Sequence, residues 1–124
     1  MSTAVVYLLR VNKHERETYL FQFQRFIKSF NKFNDTVPEK NLYIILKGDD
    51  IEFMKEKIKI EKNLLFNIFE CEDKSFDLGA YFHFHSSMKH LFSEYIFFNS
   101  HAEINGDNWY ALLSNKVKSN EYAL

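Results

Sequence analysis

Apolar runs of strand length alternate with segments of helical period along this chain of 124 residues, and this alternation restricts the possible folds more than any other feature. Residues 5–9 carry only Val, Tyr and Leu, as expected of a strand that is buried on both faces of a parallel sheet. Residues 42–46 form a second such run, residues 64–69 a third and residues 95–98 a fourth. The pattern therefore predicts four strands.

The segments between the runs are predicted to be helices. The clearest has apolar residues at steps of three and four on one face: Tyr19, Leu20, Phe23, Phe26, Ile27, Phe30 and Phe33. A short second helix follows Asp49 and Glu52, which resemble a capping box, and carries Ile51, Met54 and Ile58.

Two further helices complete the alternation. The third is predicted to begin near Asp77, with these residues inward: Leu78, Tyr81, Phe82, His85 and Met88 or Lys89. The fourth is capped by Asp107 or Asn108 and directs these residues inward: Trp109, Leu112, Leu113 and Val117.

The resulting βαβαβαβα order predicts an α/β fold, a Rossmann-like three-layer α/β/α sandwich with a mostly parallel sheet and right-handed crossovers. We expect residues 1–124 to form one domain. Ligands of such sheets bind beyond the carboxyl ends of the strands. That rule selects residues 10–12, 47–50, 70–77 and 99–103 as candidates for the site.

Composition excludes several classes of protein. Sixteen Lys and Arg residues against seventeen Asp and Glu argue against broad electrostatic binding of nucleic acid or anionic membranes, while a local basic patch stays possible. One cysteine, Cys71, excludes a disulfide framework. Three scattered glycines exclude a phosphate loop and a dinucleotide fingerprint, so no organic cofactor is expected. Without a targeting signal or an integral membrane segment, the expected location is the cytoplasm.

The acidic candidates each allow two interpretations. Asp49, after the second strand, suits recognition of a ribose or base, but capping the next helix explains it as well and is favoured by the pattern alone. The cluster Glu70, Glu72, Asp73 and Asp77 would bind a metal or sugar hydroxyls, or else form a solvated loop and a helix cap.

Two sets of side chains are candidates for a metal site, and the second is the better candidate. His83 and His85 lie two apart on a predicted helix, so they face different directions, and packed or surface histidines are the better interpretation. After the fourth strand, Asn99, His101 and Glu103 alternate, and extended backbone would direct them to one side. Mg²⁺ or Mn²⁺ bound to a diphosphate would use such a set.

Two stretches, residues 42–48 and residues 76–113, resemble family 2-like glycosyltransferases of the GT-A fold, and more closely a bacterial branch in polysaccharide synthesis. The resemblance implies transfer of a sugar from UDP or another nucleoside diphosphate to a saccharide acceptor. It implies nucleotide-binding roles for Arg10 and Asp49, and a place for Asp77 on the helix that frames the donor site. Asn99 and His101 align with the family's Asp-x-Asp metal motif but replace both carboxylates, so Mg²⁺ or Mn²⁺ binding is expected to be weak.

The family's complete fold is about twice this length, and its later half carries the catalytic base. No residue here is assigned as the base. We therefore expect the chain to be a donor-binding half that acts together with further sequence or with a partner subunit. A homo-oligomer is one such arrangement. The alternative is a non-catalytic Rossmann-like module that binds another protein through an exposed sheet edge or the Phe-rich helix face.

Overall fold

The computed structural model describes residues 3–33, 41–59, 66–71 and 77–113. Four strands alternate with three helices: β1 (Thr3–Val11), α1 (Arg16–Phe33), β2 (Asn41–Gly48), α2 (Ile51–Ile58), β3 (Asn67–Cys71), α3 (Asp77–Met88) and β4 (Glu94–Phe98). A 3-10 turn, Lys13–Glu15, leads into α1, and residues 109–113 form a helical turn. The predicted order of elements is confirmed over these ranges. Residues 64–65, the predicted beginning of the third strand, and Val117 lie outside them.

All four strands are parallel and lie in the order β3-β2-β1-β4. Tyr7 of β1 lies opposite Ile44 of β2 on one side and Phe98 of β4 on the other. Because side chains alternate along a strand, Tyr7 faces the α1 and α2 layer while Leu8 faces the α3 layer. The predicted three-layer α/β/α fold is confirmed.

The apolar face of α1 fills the larger of the two cores. Phe23, Phe26 and Phe30 are buried, and the Phe26 ring stacks on Tyr7 with ring centroids 4.2 Å apart. The helical turn closes this core because the Trp109 indole nitrogen donates a hydrogen bond of 2.9 Å to the Phe33 carbonyl. The Phe-rich face of α1 is therefore core, which corrects the suggestion that it is open to a partner.

The predicted inward face of α3 is wrong in part, since Tyr81 and Met88 pack against the core on the α3 side of the sheet as predicted but His85 is exposed. Ala80 and Phe84 are buried, whereas Leu78 and Phe82 are 62% and 63% exposed. The helix is apolar on all sides, so its spacing does not distinguish one face. Ala80 is small enough for a close approach to the sheet, and the Phe84 ring packs edge-on against Tyr43 and Phe69. Leu112 in the last helical turn was also predicted to be inward, but it is 67% exposed.

No described helix combines the length and the apolar character that crossing a membrane requires. The helix α1 has 18 residues, but charged and amide side chains occur along its whole length.

Candidate functional site

The strand order creates a topological switch at the carboxyl edge of the sheet. Helix α1 connects β1 to β2 and helix α2 connects β2 to β3, both on one face of the sheet. Helix α3 then crosses the opposite face and leads back to β4, on the other side of β1. The strand order therefore reverses between β1 and β4, and in open parallel sheets a reversal of this kind marks a crevice for a ligand at the carboxyl ends of the two strands. Arg10, near the end of β1, and Asn99, directly after β4, lie at this edge.

Ser100 joins the ends of β1 and β4. Its hydroxyl donates to the Leu8 carbonyl at 2.9 Å and accepts from the Arg10 amide at 3.3 Å. The Tyr7 hydroxyl donates to the Ser100 carbonyl at 2.8 Å, and burial raises the pKa of Tyr7 well above its usual range, which keeps this donor protonated. These three bonds fix the floor of the crevice. The sequence analysis missed Ser100, since nothing local distinguishes an anchoring serine from a loop serine.

The structure brings together two of the predicted site residues, Arg10 and Asp77. Arg10 projects towards the α3 layer, where its Nη1 lies 3.7 Å from Oδ1 of Asp77, the first residue of α3. Both side chains are part-exposed, so they are accessible to a ligand. Burial, and then the Asp77 carboxylate, raise the pKa of the nearby Tyr81 to about 12. The tyrosine is therefore neutral beside this ion pair at physiological pH.

Asp49 lies at the end of β2, beside an open cleft of about 420 Å³. Its Oδ1 accepts a hydrogen bond of 3.3 Å from the Lys13 amide, and its own amide donates to the Val11 carbonyl at 3.0 Å. The expected capping box is wrong, because α2 begins after Asp50 and the Asp49 carboxylate holds the 3-10 turn instead. The cleft is lined by Lys13, Gly48, Asp49, Asp50, Ile51, Glu52 and Phe53.

Asp50 forms a fixed wall of this cleft. Arg16 donates two hydrogen bonds to its carboxylate, Nε to Oδ2 at 2.5 Å and Nη2 to Oδ1 at 2.9 Å. The Arg16 guanidinium also lies 3.7 Å from the ring centroid of Phe53. Hydrogen bonding from Arg16 lowers the pKa of Asp50, and this outweighs the opposite effect of desolvation. Asp50 is thus committed to Arg16, which leaves Asp49 as the exposed carboxylate beside it.

Residues 99–101 form a turn, which makes the expected alignment of three ligands wrong. Oδ1 of Asn99 accepts from the His101 amide at 3.0 Å, and the Asn99 carbonyl accepts from the Ala102 amide at 3.1 Å. The side chains of His101 and Glu103 are then directed to α1. Nδ1 of His101 lies 3.3 Å from the Gln22 amide nitrogen, and the Glu103 carboxylate lies 3.9 Å from Nε of Arg25.

Asn99 and His101 supply few of the ligands that a divalent cation prefers. Within residues 3–33, 41–59, 66–71 and 77–113, no three His, Cys, Asp or Glu side chains come together as a metal-binding group. Neither side chain is a carboxylate, the group that with waters and substrate phosphates usually holds Mg²⁺, and the Asn99 oxygen is already bonded to the His101 amide.

The remaining candidates pack or pair elsewhere. The His83 ring lies 5.3 Å from Phe69 and the His85 ring 4.7 Å from Tyr95, as measured between ring centroids. Glu70 accepts a hydrogen bond of 2.8 Å from the Lys55 ammonium, and Cys71 is buried. Glu72 and Asp73 lie outside the described residues.

Among the described residues, the carboxyl edge of the sheet thus offers a ligand two pairs of polar groups, Arg10 with Asp77 at the β1–β4 crevice and Asp49 with Lys13 at the cleft beyond β2. No protein-family model, curated protein or solved structure matches the chain.

Proposed function

We propose that this chain binds a nucleoside diphosphate sugar at the carboxyl edge of its sheet, as the donor-binding half of a family 2-like glycosyltransferase. The observation that carries the proposal is the parallel strand order β3-β2-β1-β4, which reverses beside β1, the strand that carries Arg10 near its end. Open parallel sheets bind nucleotides at such switch points. The polar groups on either side of the crevice suit the parts of this ligand.

Charge determines how the ligand lies along the edge. The cleft beyond β2 contains Asp49, Asp50 and Glu52, which repel phosphates but accept hydrogen bonds from hydroxyl groups. The ribose therefore lies beside Asp49. The diphosphate extends towards β4, where Arg10 is the cation that offsets its charge and Asp77 keeps the guanidinium in position.

In the proposed reaction, a saccharide hydroxyl attacks the anomeric carbon of the donor sugar. The new glycosidic bond forms as the bond to the diphosphate oxygen breaks and that oxygen keeps the electron pair. Arg10 stabilises the leaving diphosphate by its charge. The hydroxyl proton passes to a base that a partner subunit or sequence outside this chain supplies.

Calorimetric titration with UDP and UDP-glucose tests the proposal. We expect binding that weakens several-fold in Asp49→Asn, because an amide is a poorer acceptor for hydroxyl groups than a carboxylate. Asp107→Asn, an exposed carboxylate beyond β4, is the matched control and should bind like the wild type. Because neither Asn99 nor His101 supplies a carboxylate, we expect Mn²⁺ to change the affinity little. A folded protein that binds neither ligand would contradict the proposal.

A protein-interaction module is the second candidate, and the outer face of α3 favours it. Leu78 and Phe82, one turn apart, together present two large apolar side chains to solvent. In the part of the chain that the structure describes, β4 also pairs with β1 alone, so its outer edge has no neighbouring strand. A stable dimer without nucleotide affinity, dissociated by Leu78→Ser with Phe82→Ser, would favour this function. Light scattering after gel filtration measures the dimer.

A further inference from the structure

A second concave surface lies away from the sheet edge, along the outer side of α1. This groove has a volume of about 510 Å³, larger than the cleft beside Asp49. One wall is α1, and the other is the segment 103–105 that follows β4. Its lining consists of Phe21, Gln24, Arg25, Lys28, Ser29, Lys32, Phe33, Glu103, Ile104 and Asn105. We refer to it as the α1 groove.

The walls of the α1 groove are held together by specific hydrogen bonds. Nη2 of Arg25 donates to the His101 carbonyl at 3.0 Å, and the Ile104 amide donates to Oγ of Ser29 at 3.0 Å. Ser29 is buried, and its hydroxyl also donates to the Phe26 carbonyl at 2.8 Å. The groove is therefore formed before any ligand arrives, and a partner has little ordering cost to offset.

The α1 wall carries a stripe of positive charge. Residues 21, 25, 28 and 32 follow helical steps of four, three and four, so Phe21, Arg25, Lys28 and Lys32 lie on one side of α1, opposite its buried face. Phe21 is 64% exposed at one end. Among the described residues, neither Lys28 nor Lys32 forms an ion pair, and Glu103, 3.9 Å from Arg25, is the one carboxylate in the lining.

The spacing of these charges fits an extended chain better than a compact anion. Arg25 and Lys32 are seven residues apart, which is about 10 Å along a helix axis. A single phosphate would be held between two cations one turn apart, whereas a chain that runs along the stripe can place a carboxylate beside each of the three. In an extended peptide, alternate residues point to one side about 6.6 Å apart, so three acidic residues at alternate positions span a similar length. Phe21, at one end of the stripe, adds apolar contact for a side chain that precedes the acidic ones on the same side of the peptide.

From this geometry we propose that the α1 groove binds an extended acidic segment of a partner protein, with carboxylates on the lysine stripe and an apolar side chain against Phe21. The positive charge is confined to one groove in a chain of net charge -1, so it suits a short segment rather than a broad nucleic-acid or membrane surface. The inference is independent of nucleotide binding, since the groove shares no lining residue with the cleft.

Fluorescence anisotropy with a labelled peptide tests this docking surface. The probe is Phe-Ser-Glu-Ser-Glu-Ser-Glu, and the same peptide with Gln in place of Glu is its neutral control. The variant Lys28→Gln with Lys32→Gln removes two charges from the groove. Lys57→Gln with Lys59→Gln removes two exposed charges at the end of α2 and is the matched control. We expect the groove variant to bind about three- to tenfold more weakly, and the α2 variant to bind like the wild type.

Several results would overturn the proposal. If the neutral peptide binds as tightly as the acidic one, charge has no part in binding. If the two double variants lose affinity equally, binding depends on the net charge of the protein and not on the groove. No binding at about 1 mM peptide would exclude the surface. The occupant would instead be a nucleic acid if oligo-dT binds more tightly than the acidic peptide and the groove variant weakens that binding. It would be a membrane if the same holds for phosphatidylserine vesicles and phosphatidylcholine vesicles do not bind.

Discussion

At Gly48 the backbone has φ +144°, a conformation that side chains rarely adopt, and an added Cβ would overlap the carbonyl of Val11 on the neighbouring strand. Gly48 and Val11 are paired in the β1–β2 ladder, and the next residue, Asp49, forms the candidate nucleotide contact. We therefore predict that Gly48→Ala lowers the free energy of unfolding by at least about 2 kcal/mol. Urea unfolding at neutral pH measures the change.

Gly106 is the matched control for this substitution. Nothing lies within 4 Å of a Cβ added there, so Gly106→Ala should change the free energy of unfolding by no more than about 0.5 kcal/mol. Equal effects of the two substitutions would mean that β1 and β2 do not approach each other as closely at Gly48 as the structure shows.

Between elements, the Arg16–Asp50 ion pair links the first residue of α1 to the residue before α2. Hydrogen bonding from Arg16 lowers the pKa of Asp50 in the folded protein. A carboxyl group with a lowered pKa stabilises the fold above its unfolded pKa, about 3.9, and this contribution disappears as the pH falls through the folded pKa. We predict that Asp50→Asn is less stable than the wild type at pH 7 and that the difference closes below about pH 4.

Urea midpoints of both proteins, measured from neutral to acidic pH, test this dependence. Asp107→Asn, which removes an exposed carboxylate, should show little difference from the wild type at any pH. A constant difference between Asp50→Asn and the wild type across the range would mean that the carboxylate charge has no part in joining α1 to α2.

The elements themselves followed from the sequence where one physical signal was dominant. The uninterrupted apolar run at residues 5–9 indicated a buried strand, and the period of α1 identified its buried phenylalanines. In α3 the apolar residues surround the helix, so only the packing against Tyr43 and Phe69 determines that Phe84, and not Phe82, is inward.

The site was less accessible to sequence analysis because its contacts join distant segments. Arg10 and Asp77 were each predicted from the end of a strand or the beginning of a helix, but their ion pair depends on α3 crossing back over the sheet. The turn at Asn99 has a local signal, since an Asn side chain often bonds the amide two residues later, and extended backbone was the wrong alternative.

For the whole molecule, the strand order determines where the fold is most stable. β1 is bonded to β2 on one side and β4 on the other, and its residues 4–9 are fully buried. Within the described residues, β3 and β4 each pair on one side only. The two candidate ligand surfaces lie on this frame at different places, one at the carboxyl ends of the strands and one on the outer side of α1.

Amide hydrogen exchange, followed by NMR in D₂O, gives the last prediction. Amides of residues 5–9 and 42–46 should exchange slowest, because central-strand amides are released only by global unfolding. In β4, protection should alternate, since about every second amide points to β1 and the others face away from the sheet. Uniformly slow exchange along β4 would contradict a free outer edge. Another strand would then pair there, and the crevice at Arg10 would have to be reconsidered as part of a wider sheet.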